Sequence, residues 1–242
     1  MKKTLFPIVL ILAIASTIHA QEVNVNTNLE LIFPQGEFKQ SMDRLGVGIQ
    51  LNGYYRFPNT IFGMGLDFGF KNFGVDSREE PLSSTIPDLK VEVNNSYNLL
   101  QFMLLAKAQP ADGAVRPYIE ALAGYNYFFT ETEIRNRGFG SDEEPIATDT
   151  NFEDWAFAWG GGTGVMIKVY DQRGREAKFA EDGSEVYQTA GYVNIGVRYL
   201  YGQEAEYLKQ GSIQIDNGNV TYATSRSKTD MMIWQLGFVL RF

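Results

Sequence analysis

The stretch WQLGFVLRF, residues 234–242, decides the fold. Trp234, Leu236, Phe238, Leu240 and Phe242 are bulky and apolar, and Gln235, Gly237, Val239 and Arg241 between them are smaller or polar. A strict period of two is a β-strand with one face in an apolar medium and the other in a mixed one. A soluble edge strand gains little from such an unbroken ridge. A strand that closes a barrel in lipid sets every outward side chain against hydrocarbon or its interface.

At the other end, Lys2 and Lys3 precede an apolar run from Leu5 to Ala15, followed by Ser16, Thr17 and Ala20. A basic start, a short apolar run and a small residue at the cut predict a secretory signal peptide over residues 1–20. The run is too short to span a bilayer as a helix. No later stretch approaches a spanning helix, so an integral membrane protein must here be a barrel, over residues 21–242. Loss of Lys2 and Lys3 takes the formal charge from −8 to −10. An acidic chain without a basic cluster argues against nucleic acid as a partner. Cysteine is absent, which excludes a disulfide framework and a lipidated cysteine. The single histidine, His19, is expected to leave with the signal.

Alternation recurs upstream, and the charges keep to one parity in each segment. Val23, Val25, Leu29, Leu31 and Phe33 predict a first strand, and Leu45, Val47, Ile49, Leu51, Tyr55 and Phe57 a second. Phe62, Met64, Leu66, Phe68 and Phe70 mark the third; Leu100, Phe102, Leu104 and Ala106 the fourth. Ile119 to Phe129 is the fifth, Trp155 to Val169 the sixth and Val193 to Tyr201 the seventh. With the closing strand this gives an all-β, eight-stranded, antiparallel up-and-down transmembrane barrel, an even number as single-chain bacterial barrels require. Short turns follow strands two and four, and long polar connectors follow strands one, three, five and seven. The sixth connector, Asp171 to Tyr187, is long where a short turn is expected, which leaves ten strands as the alternative. Asp216-Asn217-Gly218-Asn219 predicts a tight turn at the tip of a ribbon between the last two barrel strands.

The face opposite the ridges is rich in glycine and alanine, with scattered ions: Glu30, Arg56, Asp67, Lys71, Lys107, Glu120, Lys168, Arg198 and Arg241. A surface made mainly of glycine and alanine is a poor soluble exterior. An eight-stranded barrel has room inside for side chains but not for an aqueous channel. These residues are therefore expected to form a polar network in a plugged lumen. Unpaired charge there is costly, so Asp67 and Glu120 should meet Arg56, Lys107 or Arg198. Six bases against three acids leave a basic excess to reach the barrel ends or acidic loops.

The whole chain from residue 21 resembles the outer membrane protein β-barrel domain family, the small barrels of the OmpX and OmpA transmembrane-domain type. The features that carry the resemblance are the signal peptide, the glycine-rich alternating strands and the terminal Phe242. The resemblance implies the bacterial outer membrane, both termini in the periplasm, and long loops outside the cell. It implies outer-membrane lipid and lipopolysaccharide around the belt. It also implies that the barrel-assembly machinery reads Trp234, Leu236, Phe238, Leu240 and Phe242 as an assembly signal.

Several small barrels of this architecture are enzymes that activate a serine or a water with histidine. That route closes with His19, and thiol or histidine zinc sites cannot be built either. Carboxylates remain: Asp142, Glu143 and Glu144, with Asp149, Glu153 and Asp154 nearby. Their spacing matches no EF-hand loop, and they read as solvated. No enzyme and no cofactor is expected. The function expected is envelope structure, or interaction with a surface partner through the long loops. The runner-up is a small transport barrel for hydrophobic molecules or ions.

Overall fold

The computed structural model describes residues 22–83, 86–136, 147–171, 189–208, 214–216, 219–221 and 224–242. Eight strands close a barrel: β1 (Glu22–Pro34), β2 (Gly46–Arg56), β3 (Phe62–Ser83), β4 (Ile86–Ala108), β5 (Val115–Asn136), β6 (Ala147–Asp171), β7 (Ala190–Gly202) and, last in the chain, β12 (Met231–Arg241). Each pairs antiparallel with its neighbour, and β12 closes the ring against β1. The eight-stranded reading holds, and the ten-stranded alternative does not. The four further strands lie outside the ring: β8 (Glu204–Leu208) pairs with β11 (Thr224–Lys228), and β9 (Gln214–Asp216) with β10 (Asn219–Thr221). They build the ribbon expected between the last two barrel strands.

The chain ends meet at one rim. Phe242 N–H donates to the Val23 carbonyl at 2.9 Å, and Val23 N–H donates back at 3.3 Å. The same rim carries the tight β2–β3 turn, where Asn59 takes φ 56° and Phe57 N–H reaches the Phe62 carbonyl at 2.9 Å. All the hairpin extensions lie at the opposite rim.

Two expectations need correction there. The connectors after the third and fifth strands were expected to be loops, yet β3, β4, β5 and β6 run to 22, 23, 22 and 25 residues. That is twice the roughly 9–11 residues a strand needs to cross a bilayer. Backbone ladders continue whatever the side chains, so the strands outlast their apolar ridges as polar ribbons. The first connector, expected to be a polar loop, holds a helix, α1 (Gly36–Ser41), closed by Met42 N–H on the Phe38 carbonyl at 2.8 Å. The signal segment, the connector at 172–188, Asp142 to Glu144 and the turn at Asn217–Gly218 lie outside the described residues.

The ridges face outward on all eight strands. Leu29, Ile49, Met64, Leu104, Ile119, Trp159, Ile195 and Phe238 are each at least 46% exposed, while Asn28, Gln50, Asp67, Gln101, Glu120, Asn194 and Arg198 on the alternate parity are buried. Among the described residues, no helix is long and apolar enough to cross a membrane.

Candidate functional site: the barrel lumen and its two ends

The lumen is built in three layers. At the ribbon end, α1 tucks Phe38 into the barrel mouth, fully buried. Its ring meets Phe73 of β3, Phe128 of β5 and Tyr207 of β8 edge-on, at 5.4, 5.8 and 5.5 Å between centroids. Ile32, Leu99, Leu200 and Ile233 belong to the same buried cluster. α1 is tied down by its polar face. Ser41 Oγ lies 2.7 Å from Ser225 Oγ, and Glu37 accepts the Lys228 N–H at 3.2 Å.

Below the cap, ions and amides fill the interior. Arg198 on β7 reaches Glu120 on β5 at 2.5 Å and Asp67 on β3 at 2.9 Å. Lys107 lies 3.5 Å from the other Glu120 oxygen and 3.5 Å above the Tyr118 ring. Asp67 also accepts from Gln50, which is joined through Asn28 to Asn194. A second string runs from Gln235 to Glu30 at 2.7 Å, from Glu30 to Lys71 at 2.9 Å, and through Gln101 to Asn126. Glycine makes the space. Gly162 of β6 is Cα partner to both Glu120 and Arg198, and a Cβ there would sit 2.8 Å from Arg198 Cγ and 3.1 Å from Glu120 Oε1. The Tyr118 hydroxyl likewise occupies the room left by Gly164 and Gly196.

At the rim of the chain ends, one carboxylate gathers three guanidiniums. Glu22 pairs with Arg56 and Arg241, and with Arg116 at 3.3 Å. Arg241 extends to Asp112 in the β4–β5 turn at 3.0 Å. Arg116 is fully buried, its guanidinium 5.2 Å from the Tyr192 ring centre.

The nine charges singled out in the sequence thus divide. Glu30, Asp67, Lys71, Lys107, Glu120 and Arg198 meet in the middle layer. Arg56 and Arg241 sit in the end cluster, so Arg56 does not reach Asp67 or Glu120 as expected. Lys168, half-buried at the edge of a bulge in β6, pairs instead with Asp171 at 2.6 Å. Sequence reasoning missed Glu22 and Arg116, because they lie one and three residues before the points, Val23 and Ile119, where their strands were taken to start. Parity could have found them: Glu22 shares the inward parity of Asn24 and Asn26, and Arg116 that of Glu120. Phe38 and Met42, four apart in a polar connector, were the unused signal for α1.

Trp234, Leu236, Phe238, Leu240 and Phe242 all stand exposed on the outer face. Of the acidic residues, Glu153 accepts from the Tyr127 hydroxyl, and Asp154 accepts the Glu206 N–H at 2.7 Å. Among the described residues no group of three or more potential ligand side chains could hold a metal ion.

Fold and polarity define a class: a closed antiparallel eight-stranded barrel with its ions inside and its apolar side chains outside. No family model matches the chain, and no curated protein matches it. Among solved structures, the crystal structure of Neisserial surface protein A is similar at 12% identity over 92% of this chain and 96% of that one, with a TM-score of 0.39. A major outer membrane protein from Thermus thermophilus is similar at 13% identity over 93% and 100%, with a TM-score of 0.40. The barrel is defined by its own strand register, which closes through β1 and β12.

Proposed function

We propose that this chain is a non-enzymatic β-barrel of the bacterial outer membrane, with a plugged lumen, that serves envelope structure or surface interaction. One observation carries the reading: the barrel is inverted, with a continuous apolar belt outside and buried ion pairs inside. Soluble monomers rarely expose an apolar patch beyond roughly a few hundred Å². Here the ridges of eight strands form one belt, and lipid is the medium that removes that cost.

The rim of short turns and chain ends is the periplasmic one in this reading, and the ribbons stand outside the cell. Three layers support closure of the lumen: the Phe38 cap, the Arg198 network and the Glu22 cluster. The partners of the belt are outer-membrane lipid and lipopolysaccharide. The barrel-assembly machinery is the partner of the closing strand, and the polar ribbons suit a surface partner. The test is fractionation with gel migration. The protein should sediment with outer membranes, need detergent to stay in solution, and migrate differently before and after heating. A protein that stays monomeric in buffer without detergent would refute the reading.

A further inference from the structure

On the outer wall at the rim of the chain ends, β3, β4 and β5 leave a groove of about 400 Å³ in the apolar belt. The strand register builds it. Met64, Ala106 and Ala121 are Cα partners in one row across the three strands, and Phe62, Ala108 and Ile119 in the next. The alanine methyl groups form a floor, while Phe57, Phe62 and Met64 rise as one wall and Ile119 as the other. These wall residues are exposed, from 38% at Phe57 to 64% at Ile119. Lys107 and Glu120 also border the groove, but their side chains turn into the lumen and are 1% exposed, so they offer it backbone alone. That backbone is already spent in the ladders between β3, β4 and β5.

This lining selects an occupant without polar groups. Water needs several polar partners to stay in a cavity, and every side chain that faces the groove is apolar. A second copy of the chain fits poorly. A symmetric pair sets the same patch against itself, and groove against groove would leave a joined void that loses contacts on both sides. An acyl chain is apolar, flexible and narrow enough to lie between two rows of side chains. Because the groove is continuous with the belt, such a chain enters sideways from the bilayer. The rim also fixes the leaflet. In the membrane reading, on which this inference rests, it is the periplasmic one, made of phospholipid, while lipopolysaccharide lies at the ribbon rim. We infer that the groove seats one acyl chain of a phospholipid of the periplasmic leaflet. The chain lies over Ala108, Ala106 and Ala121, and its head group stays outside at the rim. Recognition is by shape, so the chemistry of the head group does not enter.

The test reads the full barrel by native mass spectrometry, after extraction from outer membranes in maltoside and a check of folding by heat-dependent migration. One phospholipid should stay on the barrel through repeated washing, and lipopolysaccharide should not. Ala121→Phe sets a ring over the floor and should lower the retained fraction about tenfold. Ile195→Phe, on the outward ridge of β7, should leave it unchanged. Added back to stripped protein, dioleoyl phosphatidylethanolamine and dioleoyl phosphatidylglycerol should bind within about twofold of each other. A folded barrel that keeps no phospholipid, or keeps as much after Ala121→Phe, overturns the groove and leaves the membrane reading standing. Retention of lipopolysaccharide in place of phospholipid overturns the leaflet. A dimer that Ala121→Phe splits makes a second copy the occupant, and a clear preference between the two lipids moves recognition to the head group; either overturns the inference. Protein that stays monomeric in buffer without detergent refutes the membrane reading itself, and the inference falls with it.

Discussion

Arg198 and Glu120 hold each other at 2.5 Å across an intervening strand, because β6 puts Gly162 between them. β5 supplies the acid and β7 the base, and any side chain on the strand between would occupy their meeting point. Substitution on either side of this contact should therefore be felt by the whole barrel.

Arg198→Met leaves Glu120 and Asp67 buried without their shared base. The expected cost is about 3–5 kcal/mol, the penalty for breaking one partner of a buried pair. Gly162→Ala should also destabilise, by crowding rather than by charge. Denaturant unfolding of the refolded barrel in micelles reads both, and midpoints equal to the parent's would place Arg198 in bulk water.

Phe38→Ala should act locally. Removing a buried phenylalanine costs about 3–5 kcal/mol, here concentrated in the docking of a six-residue helix. Trypsin cleavage after Lys39 should accelerate on the order of a hundredfold, since local opening governs cleavage. The global unfolding midpoint should stay where it was. A falling midpoint with unchanged cleavage would mean the cap is part of the barrel's cooperative unit.

Glu22→Gln removes the carboxylate shared by Arg56, Arg116 and Arg241. Stability should fall by about 3–5 kcal/mol at low salt. Part of it should return as salt entering the open rim screens the three guanidiniums from one another. Unfolding at two ionic strengths measures this, and a deficit that grows with salt would contradict the cluster's role.

Deleting Phe242 should impair assembly in cells far more than refolding in detergent. Its exposed ring contributes only roughly 1.5–3 kcal/mol of burial in lipid, too little to unmake a closed barrel. Heat-modifiable protein in outer membranes, set beside the refolding yield in micelles, separates the two. Equal losses would make the residue merely structural.

The barrel was legible because each ridge obeys a period of two, and parity assigned the face of every strand from Leu29 to Phe238. What parity could not give was where strands stop. Reading by hydrophobicity ended the third strand near Lys71, where the apolar ridge fades, yet its ladder runs on to Ser83. The same bias hid Glu22 and Arg116 at strand starts. The partners of each lumen charge were not legible either. They depend on the stagger between strands, which pairs Gly162 with Glu120 on one side and with Arg198 on the other. Arg56, on the inward parity, was therefore matched to the wrong acids. α1 was lost because two apolar residues in a polar connector do not outweigh its surroundings until Phe73, Phe128 and Tyr207 are brought around Phe38.

Closure of the lumen is the central claim, and single-channel recording tests it most directly. The refolded barrel, shown folded by its heat-dependent migration, is inserted into a planar bilayer under an applied potential. With Phe38 over one mouth, Arg198 clamped between Asp67 and Glu120, and Glu22 bound by three arginines at the other mouth, no steady open level should be recorded. Regular, ohmic conductance steps from the unmodified protein would contradict the account.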